Sequence, residues 1–345
     1  MEKQNITGMT LEQMETLMES IGQPTYRAAQ LFNWIYKRRA DSFDQMTNFS
    51  KSLRSQLSDF ADIGHIEVAD QRVASDKSTI KFLFRLSDRY HVESVYMEEG
   101  KRRTICLSSQ VGCSLGCKFC ATGDMGFLRN LSAGEIVEQL LAIHRNVGAE
   151  ATNVVLMGMG EPFLNYEEVI KACDLISHDK GIAIGKRKIT ISTAGIVPQI
   201  RRFTDEGQRY KLAISLNAPV DSTRSQLMPI NKKYPVHELM NAAKYYAVKS
   251  RNRITFEYVL FDGLNDSKKD ALELKKLIGD LRCKINLIPY NTVDGKYHPP
   301  SENRINAFIQ PFLDMNVVIS VRRSKGSEIQ AACGQLFFAT GRNEK

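Results

Sequence analysis

At 345 residues, 43% of them hydrophobic, the chain can bury a large core, which excludes a disordered tail and predicts one large domain with a smaller one. No apolar run approaches membrane-span length, and the first twenty residues carry Glu2, Glu12, Glu15 and Glu19 in place of a signal peptide's basic start and apolar stretch, so a non-membrane protein is expected. A formal charge of +8 favours an anionic partner, and seven cysteines, three of them crowded into eight residues, suit a reducing cytoplasmic compartment better than a disulfide framework.

Residues 1–62 read as helices. Residues 10–21 begin on an N-cap threonine, and residues 25–38 place Ala29, Leu31, Phe32, Ile35 and Tyr36 near helical spacing. Trp34, the sole tryptophan, stands there with Tyr26 and Phe32 among Arg27, Lys37, Arg38 and Arg39. Aromatics between bases suit stacking on RNA, and equally suit a small helical core with a charged exterior. Further basic groups recur at Lys101-Arg102-Arg103, Lys186-Arg187-Lys188, Lys232-Lys233 and Arg322-Arg323, several beside expected strand ends, which strengthens a nucleic-acid reading. Over residues 63–98 the period changes, with strands at 80–86 and 92–97 around a Ser87-Asp88-Arg89 turn, a hairpin leading into the core. Glu93 interrupts the second strand. A carboxylate there is a surface group on an edge strand, unless it reaches a substrate proton as a general base.

From residue 99 strands and helices alternate, with strands at 104–108, 153–157, 188–192, 212–216, 254–260 and 285–288 and helices at 133–145, 236–248 and 268–278, and a last strand is expected at 317–322. Six β-then-α units with short apolar strands imply an α/β fold whose parallel sheet is buried on both faces. Working residues in such a fold sit on loops after the strands, at one rim. Gly158-Met159-Gly160-Glu161-Pro162 follows the second strand; its glycines let the backbone approach a ligand, and Glu161 can accept from an ammonium group. Ser192, Ser215-Leu216-Asn217 and Asn291, at the ends of the third, fourth and sixth strands, complete a ring of hydrogen-bonding groups or serve as caps and turns.

The loop after the first of these strands carries Cys113, Cys117 and Cys120, spaced C-x3-C-x2-C. Thiolates this close repel one another unless a soft cation holds them. Structural zinc is usually closed by two C-x2-C pairs or by one pair with two histidines, and no second pair occurs. Three cysteines suit a four-iron cluster with one iron left open for a substrate or cofactor; a zinc site borrowing Cys106 or a histidine is the alternative.

With Ala121-Thr122-Gly123 behind it, this loop resembles the signature of radical S-adenosylmethionine (SAM) enzymes, whose open iron chelates the amino and carboxylate groups of SAM. Further stretches are Val92-Glu93-Ser94-Val95-Tyr96, residues 106–113, Gly126-Phe127-Leu128-Arg129-Asn130-Leu131, Met228-Pro229-Ile230-Asn231, residues 285–291 and Ala331-Ala332-Cys333-Gly334-Gln335-Leu336. Together they make residues 25–336 similar to the RlmN/Cfr family of radical SAM RNA adenine methyltransferases. The resemblance implies a partial (β/α)6 TIM-like barrel over residues 99–345, ending in a segment that carries Cys333, with residues 1–62 as a helical RNA-docking domain. It implies one [4Fe–4S] cluster on Cys113, Cys117 and Cys120, and SAM held by Gly160, Glu161, Ser192, Ser215, Leu216, Asn217 and Asn291. Several relatives have His where this chain has Asn217.

In the implied mechanism Cys333 takes a methyl group from one SAM, and a second SAM, reduced by the cluster, gives a 5′-deoxyadenosyl radical that removes hydrogen from the S-methyl group. The carbon radical adds to adenine. Glu93 then takes the ring proton, and Cys106 frees the RNA by forming a disulfide with Cys333. Implied partners are 23S rRNA, transfer RNA and a low-potential donor such as flavodoxin or ferredoxin, with the protein a monomer. RlmN-type action at carbon 2 is expected, and Cfr-type action at carbon 8 is the alternative. A small-molecule radical SAM enzyme would have no use for Cys106 and Cys333, and a zinc-stapled RNA-binding protein would not need SAM.

Overall fold

The computed structural model describes residues 3–64, 66–293, 295–323 and 326–337. Helix α1 (Leu11–Ser20) starts at a reciprocal cap, in which the Thr10 hydroxyl accepts from Gln13 N and the Gln13 side chain accepts from Thr10 N. Helix α2 (Tyr26–Phe32) runs on into a π-helical turn over Asn33–Lys37, and α3 (Lys51–Phe60), which the periodicity above does not single out, is capped by Ser50. Their apolar faces do not form a separate core. Met14, Leu31, Phe32, Ile35 and Leu57 belong to the same hydrophobic cluster as the sheet. The Tyr36 hydroxyl fixes this docking, accepting from Gly8 N at 2.9 Å and donating to the Met9 carbonyl at 3.0 Å. Phe32 is fully buried, and Trp34 carries the Arg38 guanidinium 4.3 Å above its ring, so of the aromatics considered for RNA stacking Tyr26 is the one left exposed.

Among the described residues, ten strands form one sheet whose spatial order follows the chain: β1 (Glu67–Val73), β2 (Thr79–Arg85), β3 (His91–Glu99), β4 (Arg102–Cys106), β5 (Asn153–Leu156), β6 (Ile189–Thr193), β7 (Lys211–Ser215), β8 (Ile254–Leu260), β9 (Cys283–Pro289) and β10 (Val318–Val321). Pairing is antiparallel from β1 to β4 and parallel from β4 to β10. Sequential parallel neighbours joined by right-handed helical crossovers curl into a partial barrel with the helices outside. Two findings go beyond the sequence reading. The strand expected at 317–322 forms as β10 and joins the parallel run as its seventh member, and the stretch expected as a hairpin is three strands that continue the barrel sheet, because β3 pairs with β4 from Val95 opposite Cys106 to Glu99 opposite Arg102.

Helix α4 (Ala133–Val147) joins the barrel to the N-terminal helices. A Cβ on its Gly134 would lie 2.2 Å from the Thr7 carbonyl oxygen, so only glycine admits this approach. Glu138, one turn on, is buried with its Oε1 3.2 Å from the Asn5 amide. Burial pushes its carboxyl up to about 7, against the opposing Asn5 hydrogen bond. The folded chain therefore keeps this proton over a range in which the unfolded chain has lost it, and the associated stability is present at low pH and lost as pH rises toward 7. Glu138→Gln stays neutral throughout. In urea unfolding its stability relative to the parent should rise by about 1.4 kcal/mol per pH unit between roughly pH 4.5 and 7; a constant difference would contradict this account.

Candidate active site

A cavity of about 170 Å³ opens at the C-terminal ends of the parallel strands, and Cys113, Cys117 and Cys120 all line it. Their loop is anchored at its base by the antiparallel pair Gln110–Gly112 and Phe127–Asn130. Cys113 N donates to the Gly126 carbonyl at 2.8 Å, and Lys118 N to the Leu227 carbonyl at 3.0 Å. Burial pushes the Cys113 thiol up to about 12 and raises Cys117 and Cys120 as well. Buried thiols of this kind become thiolates when a cation compensates them. Among the described residues no three of His, Cys, Asp and Glu converge on a single-ion site. In an iron–sulfur cluster each thiolate bonds a different iron, so three thiols spread around one cavity fit that group. Cys106, one of the two fourth ligands considered for zinc, lines a different cavity, and no histidine lines this one.

The SAM residues expected from the resemblance divide into those on the cavity wall and those behind it. Gly160, Glu161, Ser192, Ser215, Asn217 and Asn291 line it. Leu216 does not: its side chain is fully buried in the core, and its N–H and carbonyl are bonded to the Glu257 carbonyl and the Arg224 guanidinium. The two glycines line the cavity and also meet a need within the protein. A Cβ on Gly158 would meet the Leu107 carbonyl oxygen at 2.7 Å and one on Gly160 would meet Gln110 at 2.6 Å, so their smallness admits the neighbouring protein segment. Glu161 is buried, and its carboxylate accepts from Ala194 N at 2.7 Å and Phe163 N at 3.0 Å, which ties the end of β5 to the end of β6. Burial pushes this carboxyl up to about 7. Asn217 adopts φ +59°, a left-handed conformation that Asn tolerates, and its Oδ1 accepts from Val259 N at 2.9 Å.

Cys333 lines this cavity and also a second one of about 570 Å³, whose lining includes Cys106 at the end of β4. Burial pushes the Cys106 thiol up to about 12, and the Cys333 thiol adds to the effect. All seven cysteines lie among the described residues and are free, so a Cys106–Cys333 disulfide is not a feature of this structure. The Cys333 segment is held from several sides. Ala121 N donates to the Gly334 carbonyl at 2.8 Å, the Thr122 hydroxyl to the Leu336 carbonyl at 2.6 Å, and the Asn291 amide to the Cys333 carbonyl at 3.3 Å. Glu93 contributes the fourth bond, its Oε2 accepting from Phe337 N at 2.9 Å while its Oε1 pairs with Lys81 at 2.8 Å. Both members of that ion pair are buried, which overturns the surface reading of Glu93. Burial raises the Glu93 carboxyl, with Lys81 opposing.

Sequence reasoning missed two residues. Arg224, on the short helix Asp221–Leu227, is fully buried and donates to the carbonyls of Ala194, Ser215 and Leu216 and to Asn231 Oδ1. It binds the loops after β6 and β7 to the Met228–Asn231 stretch, and burial lowers it to about 10. An arginine among polar neighbours reads as solvated, so the sequence offers no signal for it. Glu257 lines the three-cysteine cavity from the middle of β8, and it carries the same signal as Glu93: one carboxylate in an apolar strand.

Residues 4–63 match the Ribosomal RNA large subunit methyltransferase N-terminal domain, and residues 107–274 match the Radical SAM superfamily. A probable dual-specificity RNA methyltransferase RlmN of Thermoanaerobacter sp. (strain X514) is 46% identical over 333 residues, covering 96% of this chain and 97% of that protein. The chain belongs to the RlmN family of radical SAM RNA methyltransferases. The dual-specificity RNA methyltransferase RlmN of Syntrophobacter fumaroxidans is 43% identical and covers 99% of this chain and 100% of its own length. A radical SAM methyltransferase from Sphaerobacter thermophilus superposes with a TM-score of 0.93 at 43% identity, covering 96% of this chain and 99% of that one. RlmN-family membership brings the partial barrel, a [4Fe–4S] cluster and SAM. No helix among the described residues is long and apolar enough to cross a membrane.

Arg224→Lys should keep the charge and lose the fork, leaving buried carbonyls without donors at about 1–3 kcal/mol each. Thermal unfolding should show the destabilisation, and iron and sulfide assays on anaerobically prepared protein should show reduced incorporation. Unchanged stability and full iron would contradict the role given to Arg224.

Proposed function

We propose that this protein methylates carbon 2 of an adenine in 23S rRNA, and of a transfer RNA adenine, by carrying the methyl carbon on Cys333. The observation that carries the reading is the place of Cys333 on the walls of both cavities, one shared with the three cluster cysteines and the other with Cys106. Adenine carbon 2 is electron-poor and does not attack SAM as a nucleophile. The cluster and SAM, when bound, supply the one-electron chemistry that turns an S-methyl group into a carbon that adds to such a ring.

The chain's own residues do the rest. Cys333 gives its thiol proton to solvent and its sulfur takes the methyl group of SAM as a thioether, with S-adenosylhomocysteine leaving, at a position set by the bonds from Ala121, Thr122, Asn291 and Glu93. Once RNA is joined through the Cys333 carbon, the adduct's odd electron would return to the cluster and Glu93 takes the ring proton; a carboxylate raised by burial suits that transfer. The Cys106 thiol gives up its proton and its sulfur bonds Cys333 Sγ as the bond from Cys333 to the RNA-bound methylene breaks; the electron pair stays with that carbon, and a proton from solvent completes the methyl group. The relatives' names support the RNA substrates and the RlmN type. A cytoplasmic monomer fed by a flavodoxin or ferredoxin completes the reading.

The test is incubation with ribosomal RNA, SAM and a reductant, then mass spectrometry of the digested nucleosides. 2-Methyladenosine is expected, and 8-methyladenosine would move the protein to the Cfr type. Cys106→Ala should leave RNA covalently attached to the protein, with product release lowered at least 100-fold; normal release would exclude Cys106 from this step.

A further inference from the structure

Glu257 is 5% exposed. Its Oε1 accepts from the Asn286 amide at 2.8 Å, and Asn286 Oδ1 in turn accepts from the Ser320 hydroxyl at 2.7 Å. These three residues stand in register on β8, β9 and β10, so one row of hydrogen bonds crosses three strands with every donor pointing toward Glu257. The row ends at Glu257 Oε2, which is buried and has no hydrogen-bond partner. The Arg322 guanidinium lies 3.9 Å from that oxygen, beyond hydrogen-bond reach. Arg322 lines the larger cavity and Glu257 the smaller, so the two stand at the junction to which Cys333 also belongs. A buried carboxylate oxygen without a donor is destabilising, and a strand interior has no packing need for it. A bound donor removes that penalty.

The donor's chemistry follows from the neighbours. Arg322 already supplies positive charge, so an ammonium group would be repelled; Glu257 would repel a phosphate. A neutral N–H next to an acceptor fits both at once. Adenine presents that pair on one edge, its exocyclic amino group beside a ring nitrogen. We propose that Glu257 Oε2 accepts from the 6-amino group of an adenine bound at this junction, with the Arg322 guanidinium donating to a ring nitrogen of the same edge. The inference rests on the function proposed above, in which adenine occurs twice, in the RNA substrate and in SAM.

The test compares adenine with purine lacking the 6-amino group in two arms. In the first, a target-site RNA hairpin carries adenosine or purine riboside at the reacting position, and equilibrium binding and kcat/KM are measured. In the second, binding of SAM is compared with that of its 6-deamino analogue. The parent protein should prefer the amino form by about 10- to 100-fold in one arm, because a polar site left unpaired rejects the analogue. Glu257→Ala should bring that ratio near one, and Glu257→Gln, which keeps a carbonyl acceptor, should retain most of it. The arm in which the ratio collapses identifies the bound adenine. A parent protein without preference in either arm overturns the inference whether or not Glu257→Ala folds, as does a preference that survives in Glu257→Ala. Absence of RNA methylation by the parent would instead defeat the proposed function, and the SAM arm would still judge Glu257.

Discussion

The hydrogen bonds that fasten residues 333–337 to the barrel rim decide the geometry of everything around them. Cys333 lies more than 200 positions beyond the cysteine loop in the chain, so nothing local keeps the two together. What does so is a set of bonds from separate elements: Ala121 and Thr122 just after the cysteines, Asn291 after β9, and the Glu93 carboxylate on β3. A neutral bond of this kind contributes about 1 kcal/mol net and a charge-assisted one about twice that. The attachment is therefore firm enough to place a sulfur and modest enough to let the segment adjust during a reaction.

The same rim concentrates buried charge. Glu93, Glu161, Arg224 and Glu257 are all withdrawn from water, and most of their polar atoms are committed to protein partners. Arg224 and Glu161 stitch successive strand-end loops to one another, so the cavity wall is already ordered before any ligand arrives. Such preorganisation removes the reorganisation that a solvated site would need. Glu257 departs from the pattern, with one oxygen supported by a row of donors and the other unmet.

Much of this was legible in the sequence, where periodicity and motif spacing speak directly. The parallel strands and the cysteine loop fall where alternation and spacing place them, and the polar strand ends do converge on one cavity. The failures have physical causes. Residue type does not reveal whether a carboxylate on a strand faces water or the interior, so Glu93 read as a surface group or a general base, and its burial on β3, paired on both sides, removes the surface reading. Gly158 and Gly160 are small because Leu107 and Gln110 press on them, a tertiary contact that no local pattern encodes. Leu216 sits between two polar neighbours on the strand end, and strand alternation turns its side chain into the core. Arg224 is the hardest case, since its partners are the carbonyls of Ala194, Ser215 and Leu216 and the Asn231 side chain, which only the fold brings around it.

The central claim is that Cys333 carries the transferred carbon, and its most direct measurement is peptide mass spectrometry of the protein after exposure to SAM bearing a deuterated methyl group, with no RNA present. The account predicts a deuterated methyl on the peptide containing Cys333, which then passes to RNA added in unlabelled SAM. An unmodified Cys333 in protein that goes on to methylate RNA at full rate would contradict it.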